Sequence, residues 1–183
     1  FLREEIPVTD FDQVRLAKEF VKFNERCFIS LLGDMHSGNF VIELTRDFEK
    51  WHFRMHPIDF DQQSHHWRKE VYLPECFEQN ALFVSLISRN LAPENVLQYQ
   101  KEERSLMANR VRVSHGRFEA LMDVMKEDII APDENVNRLG KQLAVHYQDP
   151  KFEKCITMGE IVYASIIRLL ETTLPASFPR AMV

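Results

Sequence analysis

The chain has few glycines and cysteines, no long apolar run and no excess of basic residues. Only five of its 183 residues are glycine, whereas fourteen are phenylalanine, which favours helices packed on aromatic side chains. The formal net charge is −5, so no general positive field recruits nucleic acid or an anionic membrane. We find no signal peptide and no apolar segment of bilayer length. We therefore expect neither nucleic acid nor membrane as a partner.

The three cysteines, Cys27, Cys76 and Cys155, are far apart and form no CxxC pair. An odd number at such spacings argues against a disulfide framework. Neither Cys27 nor Cys76 has a base at recognisable motif spacing, so we expect both to be small buried apolar side chains rather than nucleophiles. Together these features indicate a reducing compartment, and we expect a cytoplasmic protein.

Hydrophobic periodicity predicts an α+β, mostly helical fold with one small β-hairpin. A first helix is predicted over 10–24, with Thr9 or Asp10 as N-cap. Short strands are predicted over 28–32, 40–44 and 51–58, and the last two are expected to pair as a hairpin. After an ordered loop over 62–73, helices are predicted over 74–90, 94–111, 114–126, from Pro132 to just before Asp149, and over 152–172.

Polar residues are concentrated in two loops at the ends of the predicted hairpin. Gly33-Asp34-Met35-His36-Ser37-Gly38-Asn39 separates two apolar segments, and Asp59 and Asp61 follow the second hairpin strand. Polar groups packed so densely between buried segments are costly unless they bind something. In the kinase template a base Asp and a metal-binding Asn have four residues between them, and a second metal-binding Asp follows on the next strand turn. Asp34, Asn39 and Asp59 have this arrangement.

The motif GDMHSGN followed by IDFD resembles the signature of the aminoglycoside phosphotransferase and choline kinase group. The resemblance implies a protein-kinase-like C-terminal lobe whose small β-hairpin carries the catalytic loops. It implies ATP and Mg²⁺ as cofactors and a hydroxyl of a small molecule as acceptor. In that group Asp34 would be the catalytic base and His36 the motif histidine that braces the loop. Asn39 and Asp59 would bind the cofactor and its metal, with Asp61 as a further acid at the metal.

The resemblance is tight in the motif region and holds only in outline elsewhere. Leu32 stands where the family pattern has a histidine, and the hairpin before Asp59 is longer than usual. No Gly-rich loop, strand lysine or partner glutamate precedes Asp34, and the chain begins at Phe1. We therefore expect residues 1–183 to be the C-terminal lobe of a longer chain.

Two other functions remain open at this point. The first is a kinase-like binding or regulatory module without catalysis, which the absence of an N-lobe and the residue at Leu32 favour. The second is a metal-dependent hydrolase that uses the motif side chains Asp34, His36, Asp59 and Asp61. A zinc site is the weaker interpretation of four further histidines, because their spacing fits no standard motif: His52, His56, His65 and His66. His65 and His66 lie where the kinase-like fold keeps its activation or substrate segment, so substrate contact is a further hypothesis for them, less favoured than an ordinary polar loop.

Overall fold

The computed structural model describes residues 12–47 and 50–173. This part of the chain is mostly helical with one two-stranded antiparallel sheet, which confirms the α+β class. Its helices and strands are α1 (Gln13–Ile29), β1 (Phe40–Asp47), β2 (Lys50–Pro57), α2 (Ala81–Asn90), α3 (Pro93–Val113), α4 (His115–Glu127), α5 (Asp133–Tyr147) and α6 (Met158–Thr173). Short 3₁₀ turns lie at Lys69–Tyr72, Pro74–Cys76, Glu78–Asn80 and Pro150–Lys154.

Helix α1 is the central element, and it contributes to all three groups of buried apolar side chains. Its N-cap is Asp12, whose carboxylate accepts a hydrogen bond from the backbone N–H of Arg15 at 3.0 Å. The predicted caps Thr9 and Asp10 lie outside the described residues. One side of α1 packs on the hairpin and α2 through Phe20 and neighbouring apolar residues, while Phe28 joins the core formed by α4, α5 and α6.

The strand predicted over 28–32 is wrong, because α1 continues to Ile29. The helix then ends in a Schellman motif, in which Leu32 N–H donates to Cys27 O at 2.9 Å and Leu31 N–H to Phe28 O at 3.3 Å. Leu31 takes the position that glycine usually occupies, with φ of 48°. Leu31 is fully buried, so burial of its side chain offsets the cost of the left-handed backbone.

The hairpin prediction is confirmed, although both strands are longer towards the tip than predicted. Phe40 pairs with Pro57 and Ile42 with Met55, and this face packs on α1 and α2. Val41 and His56 pair on the opposite face and are exposed. The alternation of apolar and polar residues in the second strand thus correctly indicates a strand with one buried and one exposed face.

The helices after the hairpin follow the predicted order, with changes at their starts. The segment after Pro74 forms two 3₁₀ turns before α2 begins at Ala81, and α6 begins at Met158 rather than near Phe152. Ser114 separates α3 from α4. No helix in the described ranges combines the length and the apolar character needed to cross a bilayer.

Candidate functional site

The loop between α1 and β1 is held by hydrogen bonds along its own backbone and to a neighbouring segment. Asp34 has a left-handed backbone with φ of 58°, which Asp tolerates better than most residues. Its N–H donates to Val71 O at 3.0 Å, and its carbonyl accepts from His36 N–H at 2.9 Å. Asn39 N–H then donates to His36 O at 2.9 Å. The loop is therefore a defined turn and not an extended connection.

Asn39 and Asp34, five residues apart, are in direct contact. The Asn39 amide nitrogen Nδ2 donates to the Asp34 carbonyl oxygen at 2.9 Å and lies 3.4 Å from carboxylate oxygen Oδ2. A carbonyl only accepts, so the NH₂ group must face Asp34. This orientation directs the Asn39 amide oxygen Oδ1 away from Asp34, and Oδ1 accepts no hydrogen bond from any of the described residues.

Asp59 comes close to this loop because the hairpin ladder continues beyond its named strands. Ile58 N–H donates to Asn39 O at 3.0 Å, so Ile58 lies opposite Asn39 and Asp59 follows one residue later. The Asp59 carboxylate Oδ1 accepts from Asp61 N–H at 3.2 Å, which forms an Asx turn. Asp34, Asn39 and Asp59 are half-buried, whereas Asp61 is exposed. The predicted convergence of the two loops is thus observed in the backbone.

His36 braces the loop locally. Its ring nitrogen Nδ1 accepts a hydrogen bond from Gly38 N–H at 3.0 Å, so in this arrangement the proton of a neutral ring is on Nε2. The ring also lies edge-on to Phe77, with ring centroids 6.3 Å apart. A Cβ on Gly38 would lie 2.8 Å from the His36 ring, so glycine allows this close approach.

Asn80 supports the loop through hydrogen bonds of its side chain, and the sequence analysis did not identify this role. Its side chain is fully buried, and Nδ2 donates to Met35 O at 2.9 Å and to Pro74 O at 2.7 Å. Met35 is itself buried among the apolar side chains between α1 and the hairpin. The carbonyl between Asp34 and His36 is therefore fixed by a residue 45 positions later. The sequence indicates this role only by a single Asn that directly precedes an apolar helix.

No three or more His, Cys, Asp or Glu side chains in residues 12–47 and 50–173 are grouped so that they could hold a metal ion. Three of the four histidines considered for zinc make separate contacts elsewhere. His56 pairs with Glu43 at 2.8 Å, His65 contacts Ile130 O at 3.1 Å, and His66 Nδ1 accepts from Arg68 N–H. The oxygen donors of Asn39 and Asp59 nevertheless suit a hard cation chemically.

The candidate site is half-buried and lies outside two clefts of the described residues. Two clefts in the described part, of about 810 Å³ and about 300 Å³, have linings that include none of Asp34, Asn39 and Asp59. The larger runs along α3 beside Lys22, and the smaller lies between the α4–α5 connection and the start of α6. Ile58 and Phe60, which flank Asp59, expose about half of their surface, 56% and 55%. The two loops present oxygen atoms at positions fixed by hydrogen bonds and not a large apolar volume.

Comparisons of this chain with protein-family models, with curated proteins and with solved structures gave no match. The kinase-like lobe and the roles of Asp34, His36, Asn39, Asp59 and Asp61 therefore stay predictions. Their support is the local geometry of the two loops.

Proposed function

We propose that this chain is the kinase-like C-terminal lobe of a cytoplasmic, ATP- and Mg²⁺-dependent phosphotransferase that acts on a hydroxyl of a small molecule. The observation that supports the proposal best is the direct contact between Asn39 and Asp34, with Asp59 brought beside them by the hairpin. Turn chemistry alone would account for Asp34 and Asn39 separately. It gives no reason for a second acidic turn at the same end of the hairpin.

Asp34 is the proposed catalytic base. A carboxylate that accepts the proton of the attacking hydroxyl needs a fixed position, because proton transfer depends on hydrogen-bond reach. The left-handed backbone of Asp34 is a local strain of about 1–2 kcal/mol, held by the bond to Val71 and by Asn39. Strain at a polar surface residue is typical of a functional position.

Asn39 and Asp59 are the proposed ligands of Mg²⁺. Proteins usually hold this ion by one or two side-chain oxygens while substrate phosphates and water complete its octahedron. When bound, the ion would neutralise charge on the transferred phosphoryl group. The Asn39 amide oxygen adds a donor without adding a negative charge next to Asp34. Asp61 is proposed as an outer acid at the same ion, and His36 as the brace of the loop.

The proposal is tested by phosphoryl transfer from γ-labelled ATP to a panel of sugars, amino alcohols and nucleosides, with and without Mg²⁺. Asp34→Asn retains side-chain size and tolerates the left-handed backbone, so it isolates the carboxylate. We expect transfer to fall by about 10²- to 10⁴-fold while the unfolding midpoint is unchanged. Asp123→Asn, at an exposed acid of α4, is the matched control and leaves transfer unchanged.

Three other results of this experiment would each contradict a different part of the proposal. Full turnover in Asp34→Asn would overturn the role of Asp34 as base. Nucleotide binding without transfer to any acceptor would indicate the non-catalytic binding module. Mg²⁺- or Mn²⁺-dependent hydrolysis that ignores nucleotide and requires His36 would indicate the hydrolase.

A further inference from the structure

The loop that carries Asp34 is packed directly on the segment 62–72. Leu31 O accepts from Ser64 N–H at 2.8 Å, and Leu32 forms an isolated bridge with Gln63. Asp34 N–H donates to Val71 O at the other end of the contact. Of the four left-handed non-glycine residues in the described ranges, three lie at this contact: Leu31, Asp34 and Ser64. Two strained segments therefore hold each other in place.

Gly33 makes the contact close. A Cβ at this position would lie 2.6 Å from Gln62 O and 3.2 Å from the Tyr72 ring carbon Cε1. The backbone immediately before Asp34 thus rests on the ring of Tyr72. We therefore expect a displacement of the Tyr72 ring to displace the backbone that leads into Asp34.

Tyr72 fixes the shape of the segment on which Asp34 rests. It is fully buried, and its hydroxyl donates to His66 O at 2.5 Å and accepts from His66 N–H at 2.8 Å. Burial raises the pKa of the Tyr72 hydroxyl, so the group stays protonated and keeps its donor. One hydroxyl therefore satisfies both backbone groups of one residue and closes a loop from 66 to 72.

Helix α5 anchors the same loop from outside. Gln142 accepts from Lys69 N–H at 3.1 Å and donates to Trp67 O at 3.2 Å. The Arg138 guanidinium lies 3.6 Å from the centroid of the Trp67 ring. The segment is thus attached to a rigid element at 67–69 and shaped internally by Tyr72.

We infer that Tyr72 is a positioning residue for Asp34: its hydroxyl shapes residues 66–71, and Val71 then holds the backbone of Asp34 in its left-handed conformation. The consequence for phosphoryl transfer depends on the proposed function. The positioning of the Asp34 backbone does not depend on it.

The test is residue-resolved amide hydrogen exchange on Tyr72→Phe, which keeps the ring and removes only the hydroxyl. Tyr147→Phe is the matched control, because Tyr147 is a second largely buried tyrosine, packed against Phe28 and Phe152. Protection at each amide is compared with that of Leu139, a fully buried residue of α5. This ratio removes any general loss of stability.

We expect Tyr72→Phe to lower relative protection at the amides of Asp34, Ser64 and His66 by about tenfold, whereas Tyr147→Phe leaves the ratio unchanged. Equal loss at all amides in Tyr72→Phe would show a purely structural hydroxyl and overturn the inference. If phosphoryl transfer is measurable, kcat should fall with KM for ATP unchanged. If the exchange result holds and no acceptor is ever phosphorylated, only the proposed function fails.

Discussion

The amide nitrogen of Asn39 lies 2.9 Å from the backbone oxygen of Asp34, and the two residues enclose the second half of the loop between α1 and β1. This bond closes the loop and fixes which atom of the Asn39 amide is free. The same side chain therefore has a structural half, Nδ2, and a half available to a ligand, Oδ1. Substitutions that remove the Nδ2 donor and the Oδ1 acceptor of Asn39 separately test these two roles.

Asn39→Ala and Asn39→Asp should differ in stability. Alanine removes one partly buried hydrogen bond, and we expect a loss of about 1 kcal/mol in the free energy of unfolding. Aspartate keeps the oxygen donors but places a carboxylate against the Asp34 carbonyl and carboxylate, so we expect a loss of about 2–3 kcal/mol. Urea denaturation measures both, and equal stability of Asn39→Asp and the wild type would contradict the orientation of the amide.

Gly33 and Gly116 should respond in opposite directions to alanine. At Gly33 the added methyl group meets Gln62 O at 2.6 Å, a backbone atom that moves only with its segment. We expect Gly33→Ala to cost about 1–3 kcal/mol. Gly116 in α4 has no atom within 4 Å of the new Cβ, so Gly116→Ala should be neutral or stabilise by up to about 1 kcal/mol. Thermal unfolding of both variants measures these changes. If Gly33→Ala is as stable as the wild type, the close contact at Gly33 is ruled out.

A buried ionic group joins the hairpin to α1. Glu19 Oε1 accepts from Met55 N–H at 3.0 Å and from Arg26 Nη2 at 2.6 Å, and Arg26 also lies 3.1 Å from fully buried Glu103. Because Glu19→Ala leaves two buried groups without this acceptor, we expect a loss of about 3–5 kcal/mol.

The exposed ion pair between Asp123 and Lys126 is the control for that substitution. Asp123→Ala should change the free energy of unfolding by less than about 0.5 kcal/mol. Guanidinium denaturation compares the two variants. If Glu19→Ala unfolds at the wild-type midpoint, the buried group contributes little to the attachment of the hairpin.

The thiols should alkylate slowly at neutral pH. Burial raises the pKa of Cys155 to about 11, with Glu160 adding to the shift. Cys27 is buried as predicted, whereas the prediction that Cys76 is buried is wrong, because Cys76 is exposed. Partial desolvation and the Glu75 carboxylate still raise the pKa of the Cys76 thiol. The thiolate is the reactive form, so the iodoacetamide rate at Cys155 should rise about tenfold per pH unit from pH 7 to pH 10. Mass spectrometry of a Cys76→Ser background measures it. A rate that levels off near pH 8.5 would indicate an ordinary exposed thiol.

The hairpin and its loops were predictable because their sequence signals are local. Alternation in 51–58 predicts a half-buried strand, and pairing two neighbouring strands necessarily brings Asp59 near Asn39. The apolar run at 28–32 gave the wrong element, because a five-residue run fits a strand and a helix end equally well. Leu31 in the glycine position of the helix end was the further misleading feature.

The residues that support the site were not predictable, because their roles depend on distant partners. Tyr72 lies in a segment with no period, and Asn80 contacts a carbonyl 45 positions earlier. Glu19 is a charged residue of an amphipathic helix, and periodicity assigns such residues to the solvent. Only its contacts with Arg26 and Met55 explain why it is buried.

The proposed metal–nucleotide site is tested most directly by the paramagnetic broadening of amide NMR signals by Mn²⁺ in the presence of a non-hydrolysable ATP analogue. This broadening reports the position of the ion even when binding is weak and the acceptor is unknown. We predict that signals of residues 33–39 and 58–61 broaden first, and that Asp59→Asn removes the effect while Asp123→Asn does not. Broadening centred elsewhere, or unaffected by Asp59→Asn, would contradict a common metal–nucleotide site at Asp34, Asn39 and Asp59.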